Sequence, residues 1–480
     1  HYQKMVGKGV ANTNVPTPLI TDEPVFRDLV KKHINVLIGA VKDIPSVKTI
    51  CLMNEPSNES RTDYYKGYFA QYLTEQYHGD IAELNKAYGT SYKNFLEVPF
   101  PDGNSATRQF YDYKTFNDDI YTDFVKYMTE CVKAVDPDLP VHVKMMPMSA
   151  AQDTPSWRWF LEFGTNHDKI SRYTDLNGND AQGYLRNAEP HQNLMLKLEF
   201  YDIQTGDKDV PCFNSEDHII QDKIDNFTEE QAQHVEAVIW QSAIHGKALS
   251  TAWGWGRPKD TNSSVWQSFS YRPDAIAKIG RTAYDLNRLA RELEPVVKAK
   301  ENVAVLQSLP SRVYNLEYMN AAYLIWKNSL FLGQRVEFLP EGQIERAKDY
   351  PLLFITHANN VFADTLTGIK DYIDNGGKVF IMGEDSLKYD EHQNPHDEAL
   401  VKYIKDRSVF IPTTFEGAQI TSPTESEVFD KLRAILKDNG FLRVEVTDTE
   451  TGLPAKEVEY NYAEYNGNMI INLLNYTYDK

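Results

Sequence analysis

The sequence predicts an α/β protein whose first part is a (β/α)8 TIM barrel, and two observations carry that expectation. Short β-rich runs alternate with long helical patterns from about residue 23 to residue 294. The crossovers between runs are long, as parallel neighbours require, since tight hairpins join only antiparallel strands. Val47–Met53, after Pro45, is mostly apolar, the pattern of a strand buried on both faces. Similar runs follow at Val141–Met146, Tyr173–Leu176, Val210–Phe213 and Ala248–Ala252. Between the last two, Thr228 with Gln231 three residues on spells a capping box, opening a helix that stops at Gly246. A further helix begins with Pro273, sets Ile276, Ile279, Ala283, Leu286, Leu289, Ala290 and Leu293 on one face, and ends at Pro295. Five strands and a preceding helix over 23–43 read as the last five-eighths of an eight-fold barrel of about 250 residues. The first barrel strands are absent from this reading, and both ends of the chain look cut. Long loops at Thr90–Thr107 and Gly178–Asn187 suit a barrel whose loops build a site.

After Pro295 the pattern restarts as a smaller parallel α/β domain. Val303–Leu306, Arg335–Leu339, Leu352–Ile355 and Lys378–Met382 read as strands, with helices over 317–332 and 362–375 closed by Gly333 and Gly376-Gly377. This region carries no GxGxxG and no GxxxxGK[ST], which argues against nucleotide binding. From Gly440 the text changes to alternation without helices, as in Leu442–Val446, which predicts the start of an antiparallel β domain. The expected divisions are 1–297, 298–440 and 441–480.

Composition narrows the partners. The 480 residues carry a formal charge of −19, with 41% apolar and 25% charged side chains. That is the balance of a folded globular chain. A polyanion such as nucleic acid or an anionic membrane is a poor partner for so acidic a surface. No run approaches the roughly 18 apolar residues of a membrane helix. Cys51, Cys131 and Cys212 form no CxxC pair, so neither a disulfide framework nor a structural zinc is expected. No cofactor is expected either. His1 begins the chain without a positively charged or apolar leader, so no signal peptide is visible and the compartment stays open.

The sharpest local feature is Asn54-Glu55-Pro56 at the carboxyl end of the Val47–Met53 run. In parallel barrels the active site lies at that end of the strands, so a carboxylate there faces the pocket. The bland alternative is a cap that closes the strand and opens a loop. Glu216 ends a later strand, in Val210–His218, with a helix-capping acid as its alternative. Two carboxyl groups at strand ends are what glycoside hydrolysis needs. One is protonated to expel the leaving oxygen, and the other is ionised to attack the anomeric carbon or activate water. Trp253 and Trp255 close the last barrel strand around a glycine. Their indole faces suit sugar rings, Trp253 above all, although alternate residues on one strand also share a core-facing side. Trp157 and Trp159 read equally as rim contacts or as helix packing.

With these residues in view, the chain resembles clan A of the glycoside hydrolases, retaining enzymes on a TIM barrel with acid/base and nucleophile glutamates on the fourth and seventh strands. Asn54-Glu55-Pro56 matches the fourth-strand pattern and Ser215-Glu216 the seventh. The resemblance implies that Asn54 binds the sugar 2-hydroxyl. Within the clan the chain looks most like family 42, the β-galactosidases with a flavodoxin-like trimerisation domain. Glu83–Thr90, Ile239–Gly246 and Asp371–Gly377 carry that likeness, together with the domain order. It implies a flavodoxin-like second domain, the start of a β-sandwich third domain, and a homotrimer. On the sixth strand, Asp175–Asp180 matches loosely and makes Asp180 a substrate-binding candidate. The activity implied is that of a retaining exo-β-glycosidase on terminal neutral sugars, β-galactosidase-like. A β-mannosidase or another clan A β-glycosidase shares the plan, and an inactive carbohydrate-binding relative remains a rival.

Overall fold

The computed structural model describes residues 21–151, 158–185, 191–221, 228–255, 269, 272–416 and 419–477. The chain divides into two compact units, His1–Ala150 with Thr154–Gly178, and Ala151–Asp153 with Asn179–Lys480.

In the first unit, β1 (Ile50–Asn54) and β2 (Val141–Lys144) pair in parallel, with Ile50 opposite Val141 and Asn54 opposite Lys144. β1 starts three residues later than expected because Ile44 and Val47 close a pair of turns, donating to Val41 O and Ile44 O. The crossover between the strands ends in the 26-residue helix Arg108–Lys133, capped by Thr107, whose hydroxyl accepts from Phe110 N. Phe110, Tyr113, Tyr121 and Val125 on this helix are fully buried, which anchors the crossover against the unit's core. The Glu83–Thr90 motif proves structural. Asn85 Oδ1 accepts from Tyr92 N and Thr90 Oγ1, and Tyr88 OH donates to buried Asp112, so the motif pins the loop that follows it.

The third expected strand, Tyr173–Leu176, lies elsewhere. Tyr173 and Thr174 close the turn after helix His167–Ser171, and the Asp175 carboxylate accepts from Val141 N at 2.8 Å. The strand, β3 (Asn177–Asn179), begins only beyond that side-chain bond.

In the second unit, β4 (Cys212–Asp217) pairs in parallel with β5 (Lys247–Ala252). The helix Glu229–Ile244 crosses between them, opened by the expected Thr228/Gln231 capping box, and Gly246 (φ 90°) follows its end. The helix from Pro273 does not run to Pro295. It breaks at Leu289 and restarts as Ala290–Val297 with Pro295 inside, and the redirected piece seats Leu293 and Val296 on Ile244. Burial of that apolar pair outweighs the lost helical bond.

Beyond it, β6 (Val303–Gln307), β7 (Val336–Pro340), β8 (Leu352–Thr356), β9 (Lys378–Met382) and β10 (Val409–Ile411) form one five-stranded sheet in the order β10-β9-β8-β6-β7. Numbered from β6, that is the all-parallel 2-1-3-4-5 order of flavodoxin-like folds. Val303–Leu306 and Leu352–Ile355 are entirely buried, which explains their unbroken apolar runs. Helices Glu317–Leu330 and Ala363–Asp374 agree with the sequence reading, while Leu309–Tyr314, Glu398–Asp406 and Glu425–Asp438 are helices that it did not contain.

The alternation at Leu442–Val446 does not make a strand. That segment is instead tied down by Arg433, which pairs with Glu445, and by Tyr460 OH, which donates to Val444 O. The antiparallel pair is β13 (Val458–Tyr465) with β14 (Asn468–Asn475), after a small β11/β12 hairpin (Thr414–Glu416, Gln419–Ser422). Asn466 and Gly467, both at positive φ, make the two-residue turn that such a hairpin favours.

The Ile239–Gly246 motif fastens this hairpin. Trp240 Nε1 donates to Asn472 Oδ1, and His245 bridges Asp202 (2.8 Å) and Glu459 (2.8 Å). Trp326 Nε1 and Tyr476 OH donate to the same two carboxylates. Burial alone would depress the His245 pKa, but the charges of Asp202 and Glu459 outweigh it and raise the ring to about 10. Since the folded value lies above the unfolded one, the stabilisation is complete below about pH 6.5 and disappears as pH rises through about 10. Urea unfolding at pH 7 and pH 10.5 is expected to show a larger loss for the wild type than for His245→Gln. Parallel losses would sever the link to His245.

Candidate active site

Asn54 is the last residue of β1 and Glu55 follows it. The Glu55 N–H donates to Lys144 O at 3.0 Å, extending the β1/β2 pairing by one residue. Glu55 then turns to φ 44°, the left-handed region, although it precedes proline, where extended backbone is favoured. Such a conformation costs about 1–3 kcal/mol and persists only where the surroundings enforce it, typically at functional positions. The enforcing contacts are the Lys144 carbonyl and the Lys144 ammonium, 3.5 Å from Glu55 Oε1 on a side chain 4% exposed. Asn54 is exposed.

In the second unit the structure brings Glu216 and Trp253 together through a residue that the sequence reading passed over. Glu216 lies within β4, its N–H donating to Asn214 Oδ1. Asn214 is itself held by Ala181 O and Tyr201 OH. His218 Nε2 is 3.2 Å from Glu216 Oε1, and the His218 ring stacks on Trp253 with centroids 5.3 Å apart at 28°. An ionised carboxylate only accepts, so the imidazole nitrogen is the donor. The Glu-x-His spacing across the end of β4 was the available signal, since residues i and i+2 of extended backbone share a face.

Beneath this group, Asp217 is fully buried between two ammonium groups, Lys197 (2.5 Å) and Lys247 (2.9 Å), and accepts from Ser250 Oγ. Burial would raise its pKa, but the two lysines outweigh that and hold the carboxyl well below the ordinary range. The Asp217 carbonyl accepts from Trp253 N at 3.0 Å. The residues flanking Glu216 on β4 and ending β5 are thus locked to one another.

Asp180 is buried immediately after β3. Trp255 lies half exposed against Phe269, ring centroids 5.6 Å apart. Trp159 is 47% exposed and lies over Phe160, in the first unit. Trp157 lies outside the described residues. Among the described residues no group of three or more His, Cys, Asp or Glu could hold a metal ion, and no helix is long and apolar enough to cross a membrane.

Parallel β/α units with acidic and indole side chains at strand ends, joined to a 2-1-3-4-5 sheet, define the class: the chain is similar to the clan A glycoside hydrolases. Within that clan the likeness is to family 42, whose model, described as beta-galactosidase, matches residues 13–201. The β-galactosidase Pbg of Clostridium perfringens is 28% identical over 126 residues, covering 25% of this chain and 18% of that protein. An exo-carrageenase of family 42 from Bacteroides ovatus superimposes with a TM-score of 0.75 at 21% identity, over 95% of this chain and 64% of that one. A β-galactosidase from Bacillus circulans sp. alkalophilus gives 0.73 at 13% identity, over 95% and 77%. The chain therefore spans less than a fifth of the curated relative it matches, and just under two thirds of the carrageenase.

Proposed function

We propose that the protein is a retaining exo-β-glycosidase, β-galactosidase-like, acting on terminal β-linked neutral sugars. The observation that carries this reading is an acidic side chain next to last on β4 and an indole just past adjacent β5, bridged by one imidazole. A sugar ring resting on the Trp253 face would present its anomeric carbon to Glu216.

In the first step a Glu216 carboxylate oxygen bonds to the anomeric carbon as the glycosidic C–O bond breaks, and the departing oxygen takes its proton from Glu55. In the second, Glu55 takes a proton from water, whose oxygen bonds to the anomeric carbon as the ester C–O bond breaks. Glu216 returns as a carboxylate. Asn54 is proposed to hold the 2-hydroxyl through a bond that strengthens in the transition state, and such a bond lowers the barrier. Asp180 and Trp255 are proposed to line the same sugar. The likeness to family 42 supports the substrate class, and the strained backbone of Glu55 supports its catalytic role.

The experiment is an aryl-glycoside panel, galactoside and mannoside included, with the anomeric form of the first product read by NMR. Retention of the β configuration is expected, and inversion would sink the double displacement. Glu55→Gln is expected to slow hydrolysis of a 4-methylphenyl glycoside by ~10²–10⁴-fold, as loss of a general acid does. Loss of acid assistance matters far less when the leaving group is 2,4-dinitrophenolate, which departs unprotonated. Equal losses on the two substrates would exclude Glu55 as the acid.

A further inference from the structure

Resting on that reading of Glu216, we propose that His218 is a positioning residue that couples the nucleophile to the sugar platform. Two contacts of the imidazole go to the site. Its Nε2–H donates to Glu216 Oε1, and its ring face stacks on Trp253.

The first contact fixes the orientation of the carboxylate. With Oε1 engaged by the imidazole, the carboxylate plane cannot rotate without breaking a hydrogen bond to a charged acceptor. Such bonds are stronger than neutral ones. Lost orientation of a nucleophile is costly because reaction needs a near-attack geometry.

The second contact fixes the imidazole. Stacking on Trp253 holds the ring from one side, and Gly183 N donates to the His218 carbonyl from the other end of the residue. Trp253 is in turn tied by its own N–H to Asp217 O, inside the residue pair Glu216-Asp217. The loop closes on itself: Glu216 to His218 to Trp253 to Asp217. A sugar that presses on the indole therefore meets a surface already in register with the attacking oxygen. Nothing in the double displacement itself asks for an imidazole here. His218 neither attacks nor exchanges the reaction's protons.

Two substitutions separate the contacts, using the full chain with 2,4-dinitrophenyl and 4-nitrophenyl β-galactosides. His218→Phe keeps a stacking ring and removes the donor. Its kcat is expected to fall about 10–100-fold with KM changed less than about threefold, as loss of a hydrogen bond to a charged group predicts. His218→Gln returns an N–H at the reach of Nε2 without the ring. It is expected to recover most of kcat while KM rises, because the indole loses its support. Thermal unfolding of both variants reports whether the fold persists. Wild-type kcat in His218→Phe, or equal kcat losses in the two variants with both folded, overturns the positioning role. Glu216→Ala run alongside keeps the two ideas apart. If it is inactive while His218→Phe is fully active, only this inference fails. If it turns over normally, the nucleophile assignment fails and the inference with it.

Discussion

Glu216→Ala is expected to lower aryl-glycoside turnover on the order of 10⁴-fold or more, a barrier increase of about 5.5 kcal/mol. The reason is chemical. Without the carboxylate no covalent intermediate forms, and the remaining acid and binding contacts supply only what positioning and proton donation can. Removing the side chain also leaves room for a small anion next to Trp253. Azide added to the variant should therefore restore turnover, bonding to the anomeric carbon from the face that Glu216 vacated. The product should be a glycosyl azide of inverted configuration. Near-wild-type turnover by the variant, or rescue giving the opposite anomer, would rule out Glu216 as the nucleophile.

Asp217→Leu should produce the largest loss of stability. The substitution leaves the Lys197 ammonium, fully buried, and that of Lys247, 5% exposed, with no counter-charge between them. Breaking a buried pair by removing one partner costs ~3–5 kcal/mol, because the orphaned charge pays its desolvation uncompensated. Urea unfolding at neutral pH measures the change. The combined Asp217→Leu, Lys197→Met and Lys247→Met variant should recover most of that loss, since exchanging a whole buried ionic group for apolar side chains is often nearly neutral. A single substitution costing under about 1 kcal/mol would mean that water reaches the lysines. The combined variant also bears on function. If the ionic group serves chiefly to hold Glu216 and Trp253 in register, stability should return without activity.

Much of this protein was legible before any coordinates. The parallel sheet from β6 to β9 was readable because strands covered on both faces need unbroken apolar runs, and Val303–Leu306 and Val379–Met382 are such runs. The helix after Thr228 was readable because its cap is made by residues three apart. Glu55 stood out because a carboxylate directly after an apolar strand is a local pattern. Glu216 stood out for the same reason, although its strand runs on past it to Asp217.

What the sequence determined by itself is therefore what depends on neighbours within a turn or two: strand and helix type, caps, and the acids at strand ends. Tertiary structure decided whatever depends on partners distant in the chain. Asp217 meets Lys197 and Lys247 from 20 and 30 positions away, and His245 meets Glu459 from 214. The helix from Pro273 broke at Leu289 because its second piece gained a seat on Ile244, and the third strand began late because Asp175 spent its carboxylate on Val141. Burial and ion pairing act through space, and the free energy they contribute exceeds the local preferences that a linear reading measures.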